Sequence, residues 1–372
     1  MPEKDKLSRV VITCGGTGGH FYPGLSIALA AVQRGCRVLL LLSGVNSEAQ
    51  SRIAAAAGID SVVLPQMPHP GSPVKAWRFV KGAAGGWSKA AECFREFRPQ
   101  AVLGMGSFAM TPVLLAAKKR RIPIFLHDGN TVIGKANRIF SRFARVVGCA
   151  YPPKNAGRIH SPWQLVGMPV RQTLRCAADI TKEQAVEALN LNFGADFDPT
   201  LPTLLVIGGS QGAASFNAKL PEVFKAYDGK LQVMHLSGKG KREETEGAYQ
   251  GFAGKLLLLE SNEHIEWFLG AADLVFARSG GSTLAELTLF GKPAVLIPYP
   301  YAAEDHQRYN AEWFVGIGGG KMIANSDLSF QTAYAMLAIP WNEWRNCAAA
   351  SRHAARPDAA EKMLDLIENL IQ

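Results

Sequence analysis

A glycine-rich turn that ends in a histidine follows the first predicted strand of the chain. Residues 15–20 read Gly-Gly-Thr-Gly-Gly-His and stand between an apolar run at 9–13 and a helical pattern that includes Pro23. Such a turn presents backbone N–H groups and the positive end of a helix dipole to an anion. Because imidazole exchanges protons near neutral pH, the run predicts an anion-binding turn with a candidate general base, His20. The alternative is that His20 only orients the turn or donates to a phosphate.

A second glycine turn lies in the other half of the chain. Residues 273–286 read as a strand, a glycine turn and a helix start, with Ser and Thr close to the N-cap. Successive N–H groups at 280–283 are placed to bind a diphosphate. Glu286, one helical turn further on, is placed to accept hydrogen bonds from a ribose diol. The alternative for Glu286 is a first-turn acid that stabilises the helix dipole.

The first glycine turn does not match the two common nucleotide fingerprints. The dinucleotide pattern Gly-x-Gly-x-x-Gly fails because its third glycine position, counted from Gly16, is Phe21. The second predicted strand is followed by residues 43–46, Ser-Gly-Val-Asn, without an acidic residue. The chain also lacks the Gly-Lys-Ser/Thr ending of a Walker motif. A nicotinamide-dependent oxidoreductase is therefore disfavoured.

The glycine turns belong to a pattern of short apolar runs that alternate with helical segments. The strand candidates are 9–13, 37–42, 61–64, 101–103, 122–126 and 145–148 in the first half, and 203–207, 231–236, 256–259, 273–277 and 293–297 in the second. Continuous apolar runs separated by helices indicate parallel sheets covered on both faces. We predict an α/β fold of two Rossmann-like, doubly wound domains whose ligand loops face a shared cleft.

The predicted domain boundaries follow from that repetition. Residues 7–170 form the first domain and 171–352 the second, with the segment 160–172 as the crossover. An amphipathic pattern near the C-terminus predicts a helix at about 353–372 that packs back on the first domain.

Composition restricts the class of protein and its location. The 372 residues are 48% hydrophobic and 19% charged, which is typical of a folded globular chain. Apolar runs stay below the roughly 18–20 residues that cross a bilayer, and the polar N-terminus is unlike a signal peptide. The six cysteines are scattered without a CxxC pair, which favours a reducing cytoplasm over a zinc site or a disulfide scaffold.

The charge is divided unevenly along the chain. Residues 1–172 contain 23 Lys and Arg against 7 Asp and Glu, whereas the remainder contains 17 against 24. A basic half predicts an anionic partner, for which nucleic acid, an acidic membrane surface and a phosphorylated substrate all qualify. An uneven but inert surface is the alternative.

Two basic patches interleaved with apolar side chains favour the membrane surface. The first lies in 74–98 and contains Trp77, Val80, Ala84, Trp87, Ala91 and Phe94 among Lys75, Arg78, Lys81 and Lys89. The second contains Lys118, Lys119, Arg120, Arg121, Lys135, Arg138, Arg142 and Arg145, with Ile139, Phe140 and Phe143 among them. A core helix with a solvated basic face is the alternative for the first patch, and its glycines at 82, 85 and 86 weaken the helix prediction.

Four segments together resemble one known family. They are GGTGGH at 15–20, GGSQGA at 208–213, RSGGSTLAE at 278–286 and DHQxxNA at 305–311, and in this order they resemble the MurG family of glycosyltransferases (family 28). The resemblance extends from about residue 8 to the C-terminal helix. It implies a GT-B fold and an inverting transferase that moves N-acetylglucosamine from UDP-N-acetylglucosamine to the C4 hydroxyl of the muramyl sugar in undecaprenyl-diphosphate-muramyl-pentapeptide. Such an enzyme serves peptidoglycan synthesis, cell shape and cell division as a peripheral protein at the cytoplasmic face of the cell membrane.

The resemblance also implies a set of substrate-binding residues. Glu286 binds the uridine ribose, the backbone near Asn262 reads the uracil edge, and Gln307 holds hydroxyls of the donor sugar. The full set on the UDP-sugar is Thr17, Gly18, Gly19, Asn130, Arg171, Ser210, Gln211, Asn262, Gly281, Ser282, Thr283, Leu284, Ala285, Glu286 and Gln307. Gly16, Ser107 and Asn137 lie on the acceptor side.

The implied reaction needs a base for the hydroxyl proton and positive charge or N–H dipoles for the departing UDP. His20 is the first candidate for the base and Asp128 the second. Because helix termini and Arg171 are able to stabilise the leaving diphosphate, the chemistry requires no metal cofactor, and the sequence lacks an Asp-x-Asp pattern. Stimulation by a divalent cation stays open.

The chain departs from the family pattern at three places. The family has His-Glu-Gln-Asn where this chain has His-Asp-Gly-Asn at 127–130, and Gly-x-Gly-Gly-Tyr where residues 104–108 read Gly-Met-Gly-Ser-Phe. Met168 stands where the family has Asn before Pro-Val-Arg. Two of the three departures lie on loops of the first domain, so they affect the expected acceptor contacts more than the donor contacts.

Three alternative functions remain at this stage. Another GT-B UDP-sugar transferase with a lipid acceptor such as diacylglycerol would share the donor motifs and the basic patches. A nucleic-acid-binding protein explains the basic half but not RSGGSTLAE followed by Gln307, so we expect no nucleic-acid partner. A nucleotide-sugar epimerase on the same fold would release UDP without a glycosylated lipid.

Overall fold

A computed structural model describes residues 6–67, 73–209 and 211–371 of the chain. The chain divides into two compact units. Unit 1 contains Met1–Arg171 and Pro357–Gln372, and unit 2 contains Gln172–Arg356.

The core of unit 1 is a parallel sheet whose central strands are apolar and mostly buried. Over the described residues its seven strands are β1 (Arg9–Cys14), β2 (Arg37–Leu42), β3 (Asp60–Val63), β4 (Ala101–Gly104), β5 (Ile124–Asp128), β6 (Ala144–Cys149) and β7 (Trp163–Leu165). Their spatial order is β3-β2-β1-β4-β5-β6-β7, so the order reverses between β1 and β4. Loops at the carboxyl ends of strands beside such a reversal form the ligand crevice of doubly wound sheets. The turn at 15–17 follows β1 and the segment 105–107 follows β4, which places both at this reversal.

Helices cover the sheet of unit 1 on both faces. They are α1 (Gly18–Gln33), α2 (Ser47–Ala56), α3 (Pro73–Phe97), α4 (Thr111–Lys119) and α5 (Lys135–Phe140). Three glycines in α3 do not end the helix. A Cβ added at Gly82 would lie 2.3 Å from the carbonyl oxygen of Gln66, so the absence of a side chain allows α3 to approach the segment after β3.

Unit 2 repeats the plan with a second parallel sheet. Its six strands in the described residues are β8 (Thr203–Ile207), β9 (Gln232–Leu236), β10 (Lys255–Leu259), β11 (Leu274–Ala277), β12 (Ala294–Leu296) and β13 (Gly320–Met322), in the order β10-β9-β8-β11-β12-β13. Its helices are α6 (Gln172–Cys176), α7 (Lys182–Phe193), α8 (Ala214–Lys225), α9 (Arg242–Ala248), α10 (Ile265–Ala271), α11 (Gly281–Leu289), α12 (His306–Gly316), α13 (Phe330–Leu337) and α14 (Trp341–His353). The order reverses between β8 and β11, which are followed by the turns at 208–213 and 278–280.

The C-terminal helix α15 (Ala359–Leu370) belongs to unit 1 and packs on α1. Its apolar face enters the core that α1 shares with β1 and β2; Met363, Leu364 and Ile367 are fully buried there. Arg34 at the end of α1 bonds Asp365 Oδ1 at 2.7 Å and the carbonyl oxygen of Glu361 at 3.1 Å. A chain that leaves unit 1 at residue 171 thus returns to it at its end.

The predicted α/β class with two parallel sheets is confirmed, although two strands were missed. β7 and β13 have only three residues each and lie at the ends of their sheets. Their sequences, Trp-Gln-Leu and Gly-Lys-Met, lack the continuous apolar run of a strand buried on both faces, because an edge strand does not need one.

Candidate functional site

The first site lies at the carboxyl ends of β1, β4 and β5 and is defined here as residues 15–20, 104–108 and 127–137. Its glycine turn rests directly on the loop after β2. Gly15 and Gly16 have φ values of +128° and +83°, which favour glycine. A Cβ added at Gly44 would lie 2.7 Å from Gly16 Cα, and Asn46 Nδ2 donates to the carbonyl oxygen of Gly16 at 3.2 Å. The backbone of the turn is therefore held by close packing.

His20 lies in the first turn of α1, half-buried. Its Nδ1 is 3.0 Å from Thr17 Oγ1. A Cβ added at Gly106, whose φ is +95°, would lie 3.3 Å from His20 Nε2 and 3.6 Å from Asn137 Nδ2. The structure thus brings together His20, Thr17 and Asn137 around Gly106. When Nδ1 carries the proton and donates to Thr17, Nε2 carries the lone pair and is the ring nitrogen that can accept a proton.

Asp128 is 4% exposed at the end of β5 and forms the centre of a hydrogen-bonded loop. Its Oδ1 accepts from Asn130 N at 3.1 Å, and its Oδ2 accepts from Gly134 N at 2.8 Å and from Asn137 Nδ2 at 2.9 Å. Asn137 Nδ2 also donates to the carbonyl oxygen of His127, while its buried Oδ1 has no hydrogen-bond partner within the described chain. A carboxylate that already accepts three hydrogen bonds is better suited to position the loop than to remove a proton.

His127 is a buried member of the same site. Its Nε2 donates to the carbonyl oxygen of Gly167 at 2.9 Å. The pKa of His127 is lowered to about 4, mainly by burial; the hydrogen bond to Gly167 opposes this shift, and the nearby His20 adds to it. His127 is therefore neutral at pH 7 and connects β5 to the segment that leads out of unit 1. Sequence analysis quoted His127 only as part of a motif and missed this role.

Two of the three departures from the family pattern contact each other. A Cβ added at Gly129 would lie 2.9 Å from Met168 Cε and 3.0 Å from its Sδ. Met168 is buried. The longer side chain at 168 therefore occupies the space that a residue larger than glycine at 129 would need.

The third departure lies at the end of β4. Ser107 has φ 65° and ψ 155°, a combination that is essentially restricted to glycine, and its Oγ accepts from Ala109 N at 3.1 Å. Phe108 beside it is exposed. The serine at 107 therefore adopts a strained backbone conformation that glycine would adopt without strain. The predicted acceptor-side residues Gly16, Ser107 and Asn137 all lie in the first site.

Arg171 is the last residue of unit 1. Its guanidinium lies 5.3 Å from the centre of the Tyr22 ring on α1. The prediction that Arg171 contacts a phosphate stays a prediction.

The second site lies at the carboxyl ends of β8, β10, β11 and β12 in unit 2, and is defined here as residues 208–213, 260–264, 278–286 and 298–310. Helix α11 begins at Gly281, so the predicted donor residues Gly281, Ser282, Thr283, Leu284, Ala285 and Glu286 form its first turns. Ser282, Thr283 and Glu286 are half-buried, whereas Gly281, Leu284 and Ala285 are buried. The start of a helix carries backbone N–H groups and the positive end of the helix dipole, which together can bind an anion.

Hydrogen bonds join the start of α11 to α12. Ser279 Oγ donates to the carbonyl oxygen of Gln307 at 2.7 Å, and Asn310 Nδ2 donates to the carbonyl oxygen of Ser279 at 2.9 Å. Gln307 Oε1 accepts from Tyr299 N at 2.9 Å, so the amide nitrogen is the end of Gln307 that can donate to a ligand hydroxyl. The structure therefore brings Gln307 beside the helix start that carries Glu286.

Arg278 is a central residue of the second site that sequence analysis quoted without a role. Its Nη1 donates to the carbonyl oxygens of Ile297 and Pro298 and to Asn325 Oδ1 within 3.0 Å, and its Nη2 donates to Ser215 Oγ. Burial lowers the pKa of Arg278 to about 10, so the guanidinium is still charged at pH 7. Arg278 thus joins four segments of the chain. A pattern of side chains in the sequence does not predict its bonds to backbone carbonyl oxygens.

The turn at 208–213 packs against neighbouring loops. A Cβ added at Gly212 would lie 1.9 Å from the carbonyl oxygen of Ser237, and the carbonyl oxygen of Gln211 accepts from Lys241 Nζ at 2.8 Å. Gly238 N in turn donates to the carbonyl oxygen of Glu260 at 2.9 Å, which places the loop of Asn262 nearby. Asn262 Oδ1 accepts from His264 N at 2.7 Å, a bond that fixes the loop before α10. The predicted residue Ser210 lies outside the described residues.

Beneath this turn lies a buried histidine. His235 Nε2 donates to Asn217 Oδ1 at 3.0 Å, and Tyr249 Oη donates to His235 Nδ1 at 2.9 Å. The orientation of Asn217 follows from its Nδ2, which donates to the carbonyl oxygen of Ser237. Burial lowers the pKa of His235 to about 3. His235 is therefore a neutral link between β9, α8 and the residue that follows α9.

Across residues 6–67, 73–209 and 211–371, no group of three or more His, Cys, Asp or Glu side chains is arranged to hold a metal ion. Within the same residues no helix has both the length and the apolar composition needed to span a membrane.

Comparison with known proteins matches both halves of the chain. The model of the glycosyltransferase family 28 N-terminal domain matches residues 10–149, and that of the family 28 C-terminal domain matches residues 203–365. A relative from Halorhodospira halophila, named UDP-N-acetylglucosamine–N-acetylmuramyl-(pentapeptide) pyrophosphoryl-undecaprenol N-acetylglucosamine transferase, is 36% identical over 97% of this chain and 98% of its own. A relative of the same name from Desulforudis audaxviator is 34% identical over 97% of this chain and 98% of its own.

A solved structure is similar over the same length. The crystal structure of Acinetobacter baumannii MurG is 26% identical, covers 97% of this chain and 99% of its own, and superimposes with a TM-score of 0.77. The match therefore includes residues of both units.

Proposed function

This chain belongs to glycosyltransferase family 28, and from that membership and the two sites we propose that it transfers N-acetylglucosamine from UDP-N-acetylglucosamine to the C4 hydroxyl of the muramyl sugar in undecaprenyl-diphosphate-muramyl-pentapeptide. The observation that carries the proposal is the helix start at Gly281, with Glu286 one turn into α11 and the amide of Gln307 beside it. This arrangement offers N–H groups to a diphosphate, a carboxylate to a ribose and an amide donor to a sugar.

In the proposed complex the second site holds the donor. The N–H groups at the start of α11 receive the diphosphate, and Glu286 accepts hydrogen bonds from the ribose hydroxyls. The backbone near Asn262 reads the uracil edge, and Gln307 Nε2 donates to a hydroxyl of the N-acetylglucosamine. Gln211, Arg171 and Ser210 complete the donor contacts on the strength of the family resemblance.

The first site supplies the chemistry. His20 Nε2 takes the proton of the C4 hydroxyl while that oxygen forms a bond to the anomeric carbon of the donor sugar. The bond between the anomeric carbon and the β-phosphate oxygen breaks, and UDP leaves with that electron pair. Attack from the side opposite the leaving group inverts the anomeric configuration. Thr17, by accepting from Nδ1–H, would hold His20 in the required tautomer.

Asp128 is the second candidate for the base, and its three hydrogen bonds favour a positioning role instead. Asp128 holds Asn130 and Asn137 in place, and we assign the two asparagines to substrate contacts. The N–H groups of Gly18 and Gly19, at the start of α1, are placed to receive an anionic group.

Peripheral association with the cytoplasmic face of the membrane accompanies this function, because the acceptor's polyprenyl chain lies in the bilayer. The exposed face of α3 supports the association. Trp77 and Val80 are each 64% exposed, Trp87 is also exposed, and Lys81 Nζ lies 5.2 Å from the centre of the Trp77 ring. Phe94, in the same predicted stripe, is instead part of the core. The side chains of Lys75 and Arg78 lie outside the described residues.

An acceptor panel tests the proposed function. The full chain is incubated with labelled UDP-N-acetylglucosamine and either undecaprenyl-diphosphate-muramyl-pentapeptide or diacylglycerol, with and without a chelator. We expect label in the muramyl lipid. Label in diacylglycerol alone would assign the chain to another class of lipid glycosyltransferase, and UDP release without a labelled lipid would indicate an epimerase or a hydrolase.

A further inference from the structure

A buried amide with an unpaired oxygen lies next to the glycine turn of the first site. Gln50, in α2, is only 5% exposed, and its Oε1 has no hydrogen-bond partner within the described chain. A Cβ added at Gly15 would lie 3.3 Å from this oxygen, so the amide is adjacent to the turn. An unpaired carbonyl oxygen in the interior lowers the stability of a folded chain, and natural proteins keep such groups mainly at functional sites.

The start of α2 is tied to the loop after β2, which fixes where Gln50 lies. Ser47 Oγ donates to the carbonyl oxygen of Gly44 at 2.8 Å. The same loop packs on the glycine turn, because a Cβ added at Gly15 would lie 2.5 Å from the carbonyl oxygen of Ser43. The fold therefore holds the unpaired oxygen of Gln50 beside the turn.

The glycine turn contains N–H groups that this oxygen is able to receive. The hydrogen bonds between β1 and β2 end with Ser43 N, which donates to the carbonyl oxygen of Cys14 at 3.4 Å, a long bond. Beyond it, the N–H groups of Gly15 and Gly16 donate to no atom of the described residues. Because glycine changes its backbone angles at little cost, a small rotation of this segment would direct an N–H towards Gln50.

The same segment leads directly into the residues that we assign to substrate. Residues 17–20 follow it and contain both the start of α1 and the proposed base His20. An anion bound to the N–H groups of the helix start would draw the turn into one conformation. A peptide N–H that turns inwards at this point needs a buried acceptor, and Gln50 Oε1 is placed to be that acceptor.

We propose that Gln50 is a positioning residue of the first site: its Oε1 accepts a hydrogen bond from the N–H of Gly15 or Gly16 when the turn binds an anionic group of a substrate. The bond orders the turn and thereby fixes His20 for proton transfer. This inference rests on the proposed function and adds to it a residue of α2, outside the three segments that define the first site.

Three substitutions test the proposal through their separate effects on stability and rate. Q50L removes the amide and keeps a side chain of similar volume, whereas Q50E keeps acceptor oxygens at the same place. Q100L is the control, because Gln100 Oε1 accepts from Ser8 N at 2.7 Å and from Arg9 N at 3.1 Å at the opposite end of β1. Turnover, the KM of the lipid acceptor and the urea midpoint of unfolding are measured for each protein.

We expect Q50L to lower turnover by about tenfold or more, because the turn that carries His20 is no longer ordered. Its urea midpoint should equal or exceed that of the unsubstituted chain, since an unpaired oxygen is removed from the interior. Q50E should retain most of the turnover, because a carboxyl group also accepts hydrogen bonds. Q100L should lower the midpoint and leave the turnover of the folded protein nearly unchanged.

Two results on rate would overturn the proposal: unchanged turnover in Q50L, or a loss in Q50E as large as that in Q50L. A urea midpoint of Q50L as low as that of Q100L would also overturn it, because the amide would then be an ordinary structural group with a partner in the folded state.

Hydrogen exchange of the segment 13–21 tests the same contact without sugar transfer. Inorganic diphosphate should slow the exchange of this segment in the unsubstituted chain and in Q50E, and should slow it less in Q50L. Exchange that diphosphate slows equally in all three proteins, or in none of them, would overturn the proposal. A chain that shows the expected exchange but transfers no sugar would refute the proposed function alone.

Discussion

The first and second sites occupy equivalent positions at the carboxyl ends of two parallel sheets, but their polar side chains are used differently. In the first site, a histidine and a carboxylate bond to neighbouring side chains and loop N–H groups; His20 contacts Thr17, and Asp128 accepts from Asn137. In the second site, Ser279, Asn310 and Arg278 bond mostly to backbone carbonyl oxygens and hold a helix start in place. The first site thus contains groups that can exchange a proton, and the second presents a fixed set of donors.

We propose that this difference separates the chemistry, in the first site, from nucleotide binding, in the second. A leaving diphosphate needs donors that are already oriented before charge develops on it, and a helix start fixed by backbone bonds provides them. A base needs a titratable group with a defined tautomer, which the bond between His20 and Thr17 can define. Both sites nevertheless rest on a buried neutral histidine, His127 in unit 1 and His235 in unit 2.

Replacing His20 by Ala gives the largest effect expected from this comparison. Without Nε2 the C4 hydroxyl has no base, and we expect turnover to fall by about 10²–10⁴-fold. The measurement is the rate of sugar transfer at saturating concentrations of both substrates. The control is Thr17→Val, which removes the Nδ1 partner and should lower the rate less. Unchanged turnover in His20→Ala would exclude His20 from the mechanism.

Unfolding at low pH tests whether the stability of both units depends on neutral histidines. The folded pKa values of His127 and His235, about 4 and about 3, lie below the ordinary value of 6.5, so the folded state binds fewer protons than the unfolded chain. Their contribution to stability is fully present above pH 6.5 and is lost as the pH falls towards 4 and 3. Each accounts for roughly 3–5 kcal/mol of unfolding free energy.

Denaturant titrations at several pH values between 7 and 4 measure how steeply the unfolding free energy falls with pH. His127→Asn keeps a hydrogen-bond donor for the carbonyl oxygen of Gly167 but removes the titrating imidazole. The unfolding free energy of this variant should therefore fall less between pH 7 and pH 4. A slope that the substitution leaves unchanged would show that His127 is not neutral in the folded state.

Replacing Glu286 by Ala should weaken donor binding with a smaller effect. Loss of the hydrogen bonds to the ribose should weaken the binding free energy of UDP by about 1–3 kcal/mol and raise its dissociation constant accordingly. Calorimetric titration of UDP measures it, and uridine diphosphate is compared with its 2′-deoxy analogue. If Glu286 acts only on the helix dipole, the two nucleotides will lose the same affinity.

The departures in the first site give the smallest expected effect. Because Gly129 and Met168 are in contact, Gly129→Gln should destabilise the chain by crowding Met168, and Met168→Asn should relieve part of that cost. We expect a coupling free energy of about 1 kcal/mol in the double-mutant cycle. Unfolding free energies of the four proteins measure it, and additive losses would show that the two positions changed independently.

Much of the fold was predictable from the sequence. Buried parallel strands need continuous apolar runs, which is why 9–13, 37–42 and 203–207 could be recognised, whereas the edge strands β7 and β13 could not. The candidate loops were predictable because glycine turns follow strands in a fixed order. The contacts between distant segments were not: Arg278 donates to carbonyl oxygens at 297 and 298, and His127 donates to Gly167, forty positions away. Nor could spacing indicate that Asp128 already accepts three hydrogen bonds.

The separation of chemistry from binding is tested most directly by titrating the His20→Ala protein with UDP. Because we assign His20 to proton transfer and the nucleotide to unit 2, the dissociation constant should stay within twofold of that of the unsubstituted chain. A loss of UDP affinity as large as that of Glu286→Ala would contradict the account, since it would place His20 among the groups that hold the nucleotide.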